Sequence, residues 1–349
     1  MNKFLIVLIC FFMTSLSCFS QNESEGLVKW LDFKEAQQKN KVAQRPLLID
    51  FYTDWCGWCK HMMKTTYSNP ALAGYINNNF YPVKFNAETK DTIEYNGKIY
   101  KPISKEPKTP HELTIKFLGN SLSYPSTAFV TNNYEYTLLT QGFLEDKKIE
   151  PILIFMLENA WRTGVYDEFN KHFGHTFYDT NFAKGPVKTY SIEELEKIQK
   201  KKPKKVLVNF SSSFCNSCKV MEKTTFRDSS VAGYINDNFY LVNFNVETND
   251  TILFRNEKYF KSLVNNFPMN SLSLKLAANR FSLPAICVLD EQLNTIEVLN
   301  YYQSPEHIKP ILHYIADNAY KTKNFPEFMK TYTDKPQQPA KASSKTKKK

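Results

Sequence analysis

Four of the seven cysteines in this 349-residue chain stand as two Cys-x-x-Cys pairs: Cys56 and Cys59 in "YTDWCGWCK", and Cys215 and Cys218 in "SSSFCNSCK". Two thiols three positions apart can close a disulfide, exchange it with another thiol, or supply half of a tetrahedral zinc site. Spacing alone leaves these open. Asp50 lies six residues before Cys56 within the apolar run "LLIDF". A carboxylate there is costly unless it has a partner or a task.

The elements that must position these thiols occur twice. A shift of 159 residues brings Cys56 onto Cys215, Cys59 onto Cys218, "AGYIN" onto "AGYIN", and Pro125 onto Pro284, without a gap. Between Leu47 and Ile93, 25 of 47 positions equal their partners, which marks duplication of a whole domain rather than a short solenoid repeat. We place the copies at 26–172 and 187–333, with a linker at 173–186. Each copy predicts the same order. A short strand (27–31 or 187–190) leads to a helix with a capping box, Asp32 with Glu35 or Ser191 with Glu194. A continuous apolar run follows, "PLLIDFY" or "KVLVNFS", as suits a parallel strand covered on both faces. Cys-x-x-Cys then opens a helix, and a further strand, an irregular region, a short helix, two more strands and a final helix complete each copy. The order implies an α/β fold, each copy a central mixed sheet with helices on both faces.

Length accommodates two such cores. The formal charge of +10 owes six lysines to the segment 334–349, a Lys-rich tail too polar to fold, which leaves a mildly basic body and no case for nucleic-acid binding. Lys3 and the apolar stretch Phe4–Met13, followed by "CFSQ", predict a secretory signal over 1–20, with lipoprotein processing at Cys18 as a rival. The run is short for a membrane span, so no stable span is expected after signal removal. An exported, periplasmic or extracytoplasmic chain follows, whose cysteines are not laid out as a stapled scaffold.

The order strand, Cys-x-x-Cys, helix, then a proline in "YPS" or "LPA", resembles the thioredoxin family over nearly all of both copies, and most closely exported members with a "WCxWCK" site. The resemblance implies disulfides Cys56–Cys59 and Cys215–Cys218, and cis prolines at Pro125 and Pro284 facing them. It makes Cys56 and Cys215 the nucleophiles, activated by a helix N-terminus, with Cys59 and Cys218 resolving the mixed disulfide. Asp50 would accept the resolving thiol's proton, with Lys84 tuning it. Trp55, Trp58, Tyr124, Gly142 and Pro284 would meet substrate, with Pro125 guiding its backbone. In the second copy Asp50 becomes Asn209, Lys84 becomes Asn243, Gly142 becomes Tyr301 and Trp55 becomes Phe214. Coupled loss of the charged pair leaves neutral groups that can bond one another. The second site is therefore expected to be weakened or specialised for partner binding.

Other residues read more plainly. Cys287 is expected to be a buried small hydrophobe and His61 an exposed helix residue. Glu88, Thr89, Asp91 and Thr92, matched by Glu247, Thr248, Asp250 and Thr251, suit turn and capping bonds. "TIEYNGKIYK" predicts a type I′ hairpin that helps select substrates, with a weaker counterpart in "TILFRNEKYF". The leading reading is an exported thiol-disulfide oxidoreductase. It needs no bound cofactor or metal, and its partners are protein thiols or disulfides and a redox partner protein. The alternative is a non-catalytic binding or scaffold protein built from two such folds.

Overall fold

The computed structural model describes residues 26–179, 187–264, 267–278 and 282–333. The expected signal with Cys18, residues 180–186 of the expected linker, and the tail lie outside them. The first copy runs α1 (Phe33–Val42), β1 (Leu47–Tyr52), α2 (Gly57–Lys64), α3 (Pro70–Asn79), β2 (Tyr81–Asn86), β3 (Ile93–Tyr95), β4 (Lys98–Tyr100), α4 (Glu112–Leu118), β5 (Ser126–Val130), β6 (Thr137–Gln141), α5 (Asp146–Leu157) and α6 (Tyr166–Phe177). The second runs β7 (Thr189–Tyr190), α7 (Ile192–Lys201), β8 (Lys205–Ser211), α8 (Asn216–Lys223), α9 (Ser229–Asn238), β9 (Phe239–Asn245), β10 (Ile252–Phe254), β11 (Glu257–Tyr259), β12 (Lys261–Val264), β13 (Phe267–Asn270), α10 (Ser271–Ala277), β14 (Ala285–Leu289), β15 (Thr295–Asn300), α11 (Pro305–Ala316) and α12 (Phe325–Met329).

The first sheet has the order β2-β1-β5-β6 and the second β15-β14-β8-β9-β7. In each, one parallel pair carries the strand before Cys-x-x-Cys (β1 with β2, β8 with β9), and antiparallel strands complete the other side. The leading strand expected in both copies forms only in the second, as β7. In the first it is a single parallel bridge, Leu31 to Val83. The two helix starts also differ. Ser191 and Glu194 close a full capping box, whereas Asp32 accepts from the Glu35 N–H without the return bond, because the Glu35 carboxylate lies 3.5 Å from Lys39.

Alternation along the central strands sorts the core into three parts. Leu47, Ile49 and Phe51 face one apolar cluster of the first copy, and Val206, Val208 and Phe210 face the matching cluster of the second. Leu48 and Leu207, on the opposite faces, belong to one continuous cluster that both copies share. Phe169 and Phe173 of α6 lie within it, at 0% and 1% exposure, so the last helix of the first copy is also core of the second. The two copies therefore pack as one body through α6, which extends past residue 172, the expected end of the first unit.

Both hairpins form. Asn96 and Gly97 take φ of 48° and 72°, and Arg255 and Asn256, without a glycine, take 52° and 65°. A left-handed arginine is uncommon and costs roughly 1 kcal/mol, which accounts for the weaker signal in the sequence. β12 and β13 add a hairpin that the sequence reading did not include. The first hairpin is anchored to α1, where Gln37 bonds Glu94 O at 2.9 Å and the Asn96 N–H at 2.7 Å and Phe33 packs on Tyr95. Among the described residues none of its hydrogen bonds or ring contacts reaches the Cys56 loop.

Candidate functional site

β1 delivers the chain into a turn in which the Cys56 N–H bonds Thr53 O at 3.1 Å, and α2 starts directly after it. Cys56 is the N-cap of α2, and its sulfur accepts the Cys59 N–H at 3.0 Å. Cys56 and Cys59 are joined, with Cα atoms 5.3 Å apart. The N–H groups of Gly57 and Trp58 meet no protein acceptor among the described residues. Such unpaired groups favour an anion at the helix start, so the terminus is arranged to stabilise a Cys56 thiolate.

A set of aromatic side chains surrounds this turn. Trp55 and Trp58 are 56% and 62% exposed. The Trp55 indole N–H donates to the Glu88 carboxylate at 3.0 and 3.2 Å, and its ring meets Tyr124 edge-on at 6.0 Å. Trp58 and exposed His61 both touch Phe143, at 5.7 and 5.2 Å. The Tyr124–Pro125 bond is cis, and the carbonyl of Pro125 accepts the Gly142 N–H at 2.8 Å. Gly142 holds φ at +92°, and a Cβ there would have no neighbour within 4 Å, so open space lies beside it. Trp55, Trp58, Tyr124, Pro125 and Gly142 thus lie along one chain of contacts at the cysteine loop. Glu88 and Phe143 join them, although the sequence reading gave neither a place at the site.

Asp50 shares the face of Leu48 and is fully buried. The Tyr67 hydroxyl approaches one carboxylate oxygen at 3.5 Å, while the other oxygen has no partner. Burial pushes the carboxyl up to about 7, with the Lys84 charge and the Tyr67 hydroxyl pulling the other way. Lys84 sits opposite Asp50 in the parallel register, but its ammonium lies over the Tyr52 ring at 5.1 Å, and among the described residues it forms no ion pair with Asp50. Thr127 is the antiparallel neighbour of Asp50 on β5. A carboxyl that titrates near neutrality within this frame is suited to holding and releasing a proton.

The second copy replaces this whole group. Asn209 stands for Asp50, Asn243 for Lys84, Phe226 for Tyr67 and Ile286 for Thr127. Asn209 is fully buried and donates to Asn243 Oδ1 at 3.2 Å. The Tyr67 and Thr127 changes are visible in the same 159-residue shift, but they carry meaning only once Tyr67 and Thr127 are seen to stand beside Asp50 in one buried spot.

Cys215 and Cys218 repeat the local geometry: a joined pair, Cα atoms 5.2 Å apart, with Cys215 as N-cap and the Cys218 N–H on its sulfur at 3.1 Å. Leu283–Pro284 is cis. What lies over the pair differs. Glu158, at the end of α5 in the first copy, accepts the N–H groups of Asn216 at 3.0 Å and Ser217 at 2.7 Å and the Ser217 hydroxyl, and one of its oxygens lies 3.8 Å from Cys215 Sγ. Burial holds the Glu158 carboxyl above its ordinary value, opposed by the Ser217 and Asn216 donors and the Lys219 charge. Bonds to a charged group contribute about 1.5–3 kcal/mol each, enough to offset the several kcal/mol that a partly buried carboxylate costs.

Tyr301, the counterpart of Gly142, takes φ of 70°, and its ring lies under the Arg162 guanidinium at 5.4 Å. Tyr302 is fully buried. Its hydroxyl meets His172 Nδ1 at 2.6 Å, its carbonyl accepts the Thr163 hydroxyl, and its ring packs on Phe169. Gly164 fits beside it, since a Cβ there would come within 3.2 Å of the Tyr302 ring. Elsewhere in this copy, Cys287 is buried, donates to Leu276 O at 3.3 Å, and is pushed up to about 12 by burial, as suits an inert core thiol. The Thr89–Asp91 and Thr248–Asp250 bonds, at 3.1 and 3.0 Å, are local turn contacts. Among the described residues no three His, Cys, Asp or Glu side chains gather as for a metal, and no helix is long and apolar enough to cross a membrane.

Residues 12–134 match the family model Thioredox_DsbH, described as a protein of unknown function (DUF255), and residues 192–316 match Thioredoxin_2, a thioredoxin-like domain. Over 69 residues the chain is 33% identical to the thiol:disulfide interchange protein DsbD of Vibrio vulnificus strain CMCP6, a match spanning 19% of this chain and 12% of that protein. The DsbD of strain YJ016 is 35% identical over 60 residues, spanning 16% of this chain and 10% of that protein. Among solved structures, a thioredoxin-fold protein from Helicobacter pylori aligns at 19% identity and a TM-score of 0.29, covering 45% of this chain and 91% of its own. A thioredoxin from Thermus thermophilus aligns at 15% identity and a TM-score of 0.27, covering 37% and 86%. With a family match in each half, two joined Cys-x-x-Cys pairs and the same strand order around both, the chain belongs to the thioredoxin-like family, one domain of that kind in each half.

Proposed function

We propose that the protein is an exported thiol-disulfide oxidoreductase that exchanges disulfides with protein partners through Cys56 and Cys59. The observation that carries this reading is the open α2 terminus, with its unpaired N–H groups beside an exposed aromatic face. In one direction the Cys56 thiolate attacks a partner disulfide, one partner sulfur leaves, and Cys59 attacks Cys56 Sγ to resolve the mixed disulfide; in the other a partner thiolate attacks Cys56 Sγ as Cys59 leaves, and the partner's second thiolate then frees Cys56. Asp50, poised near neutrality, takes the proton of Cys59 as it becomes the nucleophile, and Lys84 tunes Asp50 through its charge. Pro125, Tyr124, Gly142, Trp55 and Trp58 offer backbone and aromatic contacts to an extended partner segment. The N-terminal segment supports export, with the chain then working outside the cytoplasm.

The test is reduction of insulin disulfides by the purified full chain with a dithiol donor. Cys56→Ser is expected to lower the rate at least about 100-fold, since it removes the nucleophile, whereas Cys215→Ser retains activity within about twofold. Equal losses would overturn the assignment of the work to the first pair. No activity in wild type would favour a binding role.

A further inference from the structure

We infer that Glu158 of the first domain is a positioning residue that withholds the second cysteine pair from exchange: Cys215–Cys218 answers to the packing between the domains, not to thiols in solution. The exposure of the cysteines does not distinguish the pairs, since Cys56 is 4% and Cys215 3% exposed. Their surroundings do. At α2 the Gly57 and Trp58 N–H groups are open, whereas at α8 the equivalent Asn216 and Ser217 groups are spent on the Glu158 carboxylate. Trp58 is 62% exposed, and its counterpart Ser217 is 0% exposed.

The exchange of residue type fits the cover. A tryptophan at 217 would stand where Glu158 must approach, while serine adds a hydroxyl that donates to it. In the first domain no carboxylate among the described residues takes the Gly57 and Trp58 N–H groups, and the position of Ser217 is held by the exposed Trp58. α6 completes the cover: Phe169 and His172 lie on Tyr302, in the place where Phe143 of the first domain touches Trp58 and His61. The arrangement acts on charge as well as access. A thiolate at Cys215 would form 3.8 Å from a Glu158 oxygen, so repulsion opposes the help that the α8 terminus gives. Among the described residues, the other charged or titratable groups near this spot are Lys219 on α8, Tyr75 on α3, Glu150 on α5, which lines one recess with Tyr75 and Asn216, and Glu247 after β9, which accepts the Ser213 N–H. Lys219, whose ammonium donates to Asn216 Oδ1 at 3.4 Å, attracts Glu158 through its charge.

The inference is independent of the direction in which the first pair works, and it is tested without a partner protein. Dithiothreitol is the probe. Its thiolate bonds to Cys215 Sγ as the S–S bond breaks, and Cys218 leaves and takes a proton. The second thiolate of the probe then closes the oxidised ring and frees Cys215, so two electrons and two protons pass to the pair. The full chain is incubated with the probe for timed intervals and alkylated, and each pair is followed by peptide mass spectrometry. Cys56–Cys59 is expected to open at least about tenfold faster than Cys215–Cys218. Glu158→Gln keeps the size and one acceptor but removes the charge. It is expected to speed the second pair roughly threefold or more, leave the first within about twofold, and lower the pH midpoint for alkylation of reduced Cys215 by about half a unit or more. A purely structural role for Glu158 would leave that midpoint in place. Equal opening of the two pairs in wild type overturns the inference, as does a Glu158→Gln protein with rate and midpoint unchanged. If Glu158→Gln does not fold, the wild-type rates alone decide.

Discussion

The first and second cysteine pairs occupy the same loop of the same fold, capped by the same kind of helix, yet one faces solvent and aromatic side chains and the other faces protein. The difference has two layers. On the strands behind the helix start, a polar set of Asp50, Tyr67, Thr127 and Lys84 is matched by Asn209, Phe226, Ile286 and Asn243. At the helix start itself, the open Gly57 and Trp58 donors are matched by donors bonded to Glu158. Duplication copies a domain but not its neighbours: the last helices of the first copy lie on the cysteine face of the second, and among the described residues no carboxylate takes the matching donors of the first. Tandem order alone then makes two similar sites unequal, and the residues at each site have adjusted to what covers it.

The comparison is broken most severely by removing the helix that joins the domains. Phe173→Ala empties a fully packed ring position and is expected to cost about 3–5 kcal/mol. Denaturant unfolding should split into two transitions, and Cys215–Cys218 should open faster to a thiol probe while Cys56–Cys59 does not change. A single transition with the second pair still slow would mean that α6 does not provide the cover.

A mirrored pair of substitutions sharpens the buried layer. Because the Asp50 carboxyl titrates at about 7 when folded and near 3.8 when unfolded, the native state holds the extra proton between those values, so stability falls as pH rises through them and levels off above about 7. Three units correspond to at most about 4 kcal/mol. Asp50→Asn should therefore raise the unfolding midpoint at pH 8, leave it nearly unchanged at pH 4, and slow release of a mixed disulfide trapped at Cys56. Asn209→Asp should do the opposite to stability at pH 8, and by more, because Phe226 offers no hydroxyl. Midpoints that shift equally at both pH values would remove Asp50 from proton transfer.

The smallest effect is expected at the rim. Trp55→Phe copies the residue of the second domain and removes the indole bond to Glu88, an exposed contact contributing about 1 kcal/mol or less. Stability should hardly move, while the KM for a protein disulfide should rise a few-fold with kcat little changed. A kcat effect instead would place Trp55 in the chemistry rather than in substrate contact.

Much of the fold was legible along the chain. The 159-residue shift, the apolar runs of β1 and β8, and the Asn96-Gly97 turn all depend on residues close in sequence, and so did the odd carboxylate at Asp50. The second hairpin, with Arg255 in a left-handed turn, was only weakly marked, since packing rather than turn chemistry holds it. Phe169, Phe173 and Phe177 recur every fourth residue on α6, a helical stripe that was readable as such. Its partner was not, because the period fixes a face and says nothing of what the face meets.

The sequence by itself determined that there are two domains of one kind, that each opens a helix with Cys-x-x-Cys, and that the second has asparagines where the first has Asp50 and Lys84. These follow from local spacing and from comparison of the chain with itself. Tertiary structure alone decided that Tyr67 and Thr127 belong with Asp50, that Lys84 turns toward Tyr52, and that Glu158 reaches Ser217 across 59 residues. Contacts of that kind depend on how strands register and how two whole domains lie against each other. No interval of residues along the chain encodes such a placement, because it is fixed by the shared apolar core rather than by any short-range preference.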